Sequence, residues 1–71
     1  MYNKIMEFAK RLKELRVERG LSQMELSVAT GISQSAIAKW ELSKTEPTAS
    51  ALITLSKFFN ESVDYLLGIT D

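Results

Sequence analysis

Gln34, Ser35, Ala36 and Lys39 stand close together in a stretch that reads as a short helix. Ser35 and Lys39 point away from Ile37, Trp40 and Glu41, and Gln34 sits exposed in the first turn. Ala36 and Ala38 flank the outer face and keep it slim. Amides and hydroxyls on such a face can meet base edges in a major groove, and small residues permit close approach. The same residues also describe an ordinary amphipathic helix whose polar side faces water. Composition alone does not separate the two.

Catalytic chemistry has less material. The 71 residues contain no cysteine and no histidine, which removes most routes to zinc binding and to nucleophilic or general-base catalysis near neutral pH. Seven Glu and two Asp are scattered without an acid–base pairing. The chain therefore reads as a non-enzyme that needs no metal, cofactor or small-molecule substrate. Absence of cysteine also fits a reducing compartment. No apolar run approaches the roughly 20 residues that span a bilayer, and the N-terminus lacks a signal-peptide profile, so a cytoplasmic location is expected.

The polar face must be held by neighbouring elements, and the stretch 21–41 supplies them. Ser22 is a good N-cap, with Glu25 completing a capping box and Leu21 and Leu26 at staple positions. Ser33 repeats the cap, with Ile32 and Ile37 as its staple. Gly31 falls where the first of these helices must end and reverse, a left-handed site that glycine fills without steric cost. Two helices this short form a helix-turn-helix only if the rest of the chain holds them.

Upstream, residues 4–19 read as a first helix capped by Asn3, with Ile5, Phe8, Leu12 and Leu15 on its apolar face. Its Lys10, Arg11, Lys13 and Arg19 are expected on a solvated surface. Downstream, Pro47 closes a loop and Thr48 caps a fourth helix over 49–59, with Leu52, Leu55, Ser56 and Phe59 inward. A short fifth helix runs from Val63 to Leu67 and stops at Gly68. The expected fold is all-α, a compact five-helix domain covering 1–71.

Formal net charge is zero, but unevenly spread. Residues 1–20 carry six basic and three acidic groups, and residues 45–71 carry one basic and four acidic ones. A basic face can steer onto phosphates despite a neutral total. Zero net charge and the acidic C-terminal third also suit a protein-interaction module of the same fold, such as an antitoxin-like partner-binding domain.

Taken together, RLKELR at 11–16, GLSQMEL at 20–26, GIS at 31–33, Ile37, Trp40-Glu41, Pro47 and SVDYLLG at 62–68 resemble the lambda-repressor-like helix-turn-helix family of phage repressors and Cro proteins. The resemblance implies a prokaryotic or phage transcriptional regulator that binds double-stranded DNA, usually as a homodimer on a palindromic operator. It implies that Gln23 clamps a phosphate, and that Ser33, Gln34, Ser35 and Lys39 meet bases or nearby phosphates. Gln34 could pair with adenine, Lys39 with guanine or phosphate, and Ala36 with a thymine methyl. Lys44 and Thr45 match a loop that contacts backbone phosphates. Arg16 and Glu41 match a structural pair, and Trp40 a core residue. Tyr65 fits either the core edge or a dimer contact. Leu66, Leu67 and Ile69 are the candidate dimerisation surface, since they exceed what so short an element needs internally. Two positions depart from the pattern: Ser27 replaces the usual alanine, and Ser43 replaces a common glycine, which leaves room for a different loop path.

Overall fold

The computed structural model describes residues 4–70, with side chains from Glu7 to Thr70. Five helices follow one another: α1 (Lys4–Glu18), α2 (Gln23–Thr30), α3 (Gln34–Glu41), α4 (Ala49–Phe59) and α5 (Val63–Leu66). No strand occurs among the described residues, as expected for an all-α chain. The expected Asn3 cap and the side chain of Ile5 lie outside the described residues.

Hydroxyl caps start four of the helices. Ser22, Ser33, Thr48 and Ser62 accept the backbone N–H groups of Glu25, Ala36, Ala51 and Tyr65 at 2.9–3.1 Å. At α2 the box is complete, because the Ser22 N–H also donates to Glu25 Oε1 at 2.8 Å. That N–H, and then the Ser22 hydroxyl, hold the Glu25 carboxyl below the usual glutamate range.

Left-handed residues end α2 and α3. Gly31 (φ 77) turns the chain after α2 while its N–H bonds Ser27 O at 2.9 Å. After α3 the same conformation falls to Ser43 (φ 61). Ser43 N–H donates to Trp40 O and Lys44 N–H to Lys39 O, the paired bonds of a Schellman motif. The serine therefore takes up the turn that a glycine would make, and the loop path is anchored to the end of α3. At the other departure, Ser27 is half-buried and its hydroxyl makes no bond to a helical carbonyl among the described residues.

Every helix contributes at least one fully buried side chain: Phe8 and Leu12 from α1, Leu26 from α2, Ile37 from α3, Leu55 from α4 and Leu66 from α5. Burying each such side chain stabilises the fold by about 1.5–3 kcal/mol. Leu15, Trp40, Ala51 and Phe59 complete the cluster, and Leu21 and Ile32 pack on it from the two staple positions. Phe8 meets Trp40 edge-on with centroids 6.0 Å apart, tying α1 to α3. Trp40 is thus a core residue.

Leu66 corrects an expectation. It is 0% exposed and anchors α5 against α1 and α4, so it cannot meet another chain. A four-residue helix needs that anchor. Of the three apolar residues in this segment, Leu67 is half-buried and Ile69 exposed.

Of the arginines expected on a solvated surface, Arg11 of α1 is half-buried, and Arg19, just past the end of α1, is exposed but bonded to the fold. Arg11 donates to Glu7 Oε1 and to Thr70 O, each at 3.3 Å, and lies 4.3 Å from the centre of the Tyr65 ring. Tyr65 packs on the core edge beneath it. Arg19 donates to the carbonyls of Phe58 and Phe59 at 3.4 and 3.1 Å, placing a cation at the C-terminal end of the α4 dipole. Lys10 and Lys13 are exposed.

The left-handed serine yields a prediction. Ser43→Gly removes the Cβ penalty at an unchanged turn and is expected to raise stability by about 1 kcal/mol. Ser43→Val should lower it, and urea unfolding of the three proteins measures both.

Candidate nucleic-acid interface

The polar face of α3 is set by what its opposite side buries. Ile37 and Trp40 enter the core, and Ala36 packs half-buried against it. That leaves Ser33, Gln34, Ser35 and Lys39 exposed on one rim of the molecule. Eight residues of helix extend about 12 Å, close to the width of a B-DNA major groove. Ser33 Oγ is occupied as the cap of α3, but its hydroxyl proton remains able to donate outward. Lys44 and Thr45 are exposed just beyond the helix, and the bond from Lys44 N–H to Lys39 O fixes the start of their loop.

One buried junction holds this helix-turn-helix at both ends. Arg16 of α1 grips Glu41, the last residue of α3, through two parallel bonds: Nε to Oε2 at 2.7 Å and Nη2 to Oε1 at 2.9 Å. Its remaining terminal nitrogen, Nη1, donates to Leu21 O at 2.7 Å, next to the Ser22 cap of α2. Leu21 N–H returns a bond to Arg16 O at 3.1 Å. The side chains of Arg16 and Glu41 are only 12% and 5% exposed. The carboxylate bonds hold the Arg16 pKa above its ordinary value, so the guanidinium stays charged at any relevant pH.

Gln23 joins the same carboxylate. Its Nε2 donates to Glu41 Oε1 at 3.1 Å, and the side chain is half-buried. The family pattern offers Gln23 as a phosphate clamp, and the structure adds a tether that sequence reasoning missed. No sequence signal pointed to it, because the two residues stand 18 positions apart on different helices. Ala36 also sits deeper than an outer-face residue. Among the described residues no cluster of carboxylates could hold a metal ion, and no helix is long and apolar enough to cross a membrane.

A helix-turn-helix built on α2 and α3, with a polar outer face and a buried brace behind it, defines the class of this protein. The family model described as Helix-turn-helix matches residues 12–66, and the chain belongs to this lambda-repressor-like family. Among curated proteins it is 40% identical over 63 residues to the HTH-type transcriptional activator BcrR of Enterococcus faecalis, covering 89% of this chain and 31% of that protein. It is 36% identical to the HTH-type transcriptional regulator ImmR of Bacillus subtilis, over 89% of this chain and 50% of that one. Repressor protein C2 of Salmonella phage P22 is 40% identical over 57 residues, covering 80% of this chain and 26% of its own length. The chain thus spans half or less of each of these relatives. No solved structure gives a significant match.

The junction predicts a large cost for losing one partner. Glu41→Ala leaves the Arg16 guanidinium out of water without a counter-charge, and is expected to destabilise the fold by about 3–5 kcal/mol in denaturant unfolding.

Proposed function

We propose that this chain binds double-stranded DNA sequence-specifically, as a transcriptional regulator, with α3 laid into the major groove. The observation that carries the proposal is the exposed row Ser33, Gln34, Ser35 and Lys39 on a helix braced from behind by Arg16 and Glu41. In this reading Gln34 and Lys39 meet base edges, and Ser33 and Ser35 meet bases or nearby phosphates. Ala36 supports the close approach. Gln23, Lys44 and Thr45 contact the phosphate backbone and set the docking register without selecting sequence. The relatives support the regulatory role, one being a transcriptional activator and another a repressor.

One α3 reads too few base pairs to select a site in a genome, so the proposed binding unit is a homodimer on a palindromic operator. Half-sites are then about one helical turn apart. Leu67 and Ile69, at the end of the chain beyond Leu66, are the proposed contact between the two copies.

Selection of bound duplexes from a random-sequence pool at near-physiological salt tests both statements. Enrichment of a two-fold-symmetric site is the expected result. A folded protein that recovers no consensus would overturn sequence-specific binding. On the recovered site, Gln34→Ala should weaken binding by about 1–3 kcal/mol and relax base preference at one position. Lys44→Ala should weaken binding to all sequences alike and lower the salt slope by about one. Titrations across a salt series separate the two behaviours.

A further inference from the structure

We infer that Glu41 is a positioning residue for Gln23: its buried carboxylate aims the Gln23 amide so that the second N–H faces a DNA phosphate. This rests on the DNA-binding reading above, and assigns Glu41 a task beyond pairing with Arg16. A glutamine nitrogen carries two protons, and a free side chain distributes them over many rotamers. Here Nε2 spends one on Glu41 Oε1 at 3.1 Å. Holding the nitrogen on that bond fixes the plane of the amide and leaves one N–H to donate.

The acceptor is unusually rigid. The Glu41 side chain is 5% exposed and is clamped by two bonds from Arg16, whose third bond reaches Leu21 O beside α2. Arg16 thus sets where the carboxylate lies, and the carboxylate sets where the Gln23 nitrogen lies. The backbone N–H of Gln23, at the first position of α2, has no intrahelical acceptor. The tether brings the outward side-chain proton and this N–H to the same end of α2, where one phosphate oxygen can accept both. Donation to a charged acceptor also makes this the stronger kind of hydrogen bond, which holds the amide in place. A recognition helix whose end is bonded to the phosphate-contacting side chain docks with its register already set.

The test is a double-mutant cycle on a mixed-sequence duplex about two helical turns long, read at low salt by fluorescence anisotropy. Arg16→Met/Glu41→Met removes both charges together, a replacement that keeps buried pairs foldable, and leaves Gln23 without its acceptor. Circular dichroism checks the fold. Gln23→Ala alone is expected to weaken binding about tenfold. The paired variant should weaken binding about fivefold with Gln23 present, and less than about twofold in the Gln23→Ala background. Equal losses in both backgrounds would overturn the inference, because the pair would then act on the whole interface. If the paired variant does not fold, Glu41→Gln takes its place in the cycle, with a weaker neutral acceptor.

Nuclear magnetic resonance of the Gln23 side-chain amide supplies a readout without DNA. One of its two protons should show slowed exchange with water in the native chain, and that protection should vanish in the variant. An amide indifferent to the variant overturns the tether even where DNA binds. Failure of the native chain to bind any duplex, with the amide protected, removes the phosphate role and marks the DNA-binding reading as the part that failed.

Discussion

The bidentate bond between Arg16 and Glu41 is the constraint on which the rest of the molecule depends. Removing two charges from water costs several kcal/mol per ion, and the attraction between them offsets this only with good geometry and further bonds. Those conditions are met here. Two short parallel bonds join the groups, Leu21 O takes a third Arg16 donor, and Gln23 adds a third bond to the Glu41 carboxylate. No buried side-chain nitrogen or oxygen among the described residues lacks a partner. The junction collects the last residue of α3, the residue before the α2 cap and the first residue of α2 around one guanidinium from α1. Relative placement of the two motif helices is therefore fixed by directional bonds, where apolar packing alone would permit sliding.

Packing supplies the energy that this geometry shapes. Helices of eight residues are marginal in water, and α2 and α3 have no more than that. Their stability comes from Leu26, Ile37 and Trp40 entering a cluster to which α1, α4 and α5 also contribute. Even the four-residue α5 inserts Leu66 completely. A small core of this kind has no spare layer. The polar face of α3 consequently stays available only because all five helices complete the opposite side.

Local chemistry was legible in the sequence, and distant chemistry was not. The Ser22–Glu25 box, the Ser33 and Thr48 caps and the Gly31 reversal depend on neighbours within four residues, so spacing alone identified them. Helical periodicity likewise placed Phe8, Leu12, Leu15, Leu55 and Phe59 inside. Periodicity could not distinguish an apolar residue that meets a second chain from one that plugs its own core, which is why Leu66 was misplaced. Nor could it find the bonds of Arg11 to Thr70 O, of Arg19 to the end of α4, or of Gln23 to Glu41, which join residues 18 to 59 positions apart. Ser43 marks the opposite limit. Residue type argued against a glycine-like turn, yet the two Schellman bonds and the buried Trp40 beside them hold a serine in that conformation.

The cations divide by chemistry, and the division bears on how such a chain would discriminate between DNA sequences. All three arginines hold internal contacts: Arg11 on Tyr65 and Thr70, Arg16 on Glu41 and Leu21, Arg19 on the carbonyls closing α4. The described lysines, at positions 10, 13, 39, 44 and 57, are all exposed. A planar guanidinium with five donors suits fixed multi-bond junctions, whereas a strongly hydrated ammonium on a flexible stem suits water or a phosphate. Only Lys39 and Lys44 stand on α3 or its following loop, and the chain as a whole is neutral. Counterion release grows with the number of phosphates neutralised, so an interface with two lysines gains little sequence-independent affinity per copy. In the proposed complex, discrimination must then come from what a weak electrostatic background does not mask: the amide and hydroxyls of α3, held in register by the junction behind them, and duplication of that readout by a second copy.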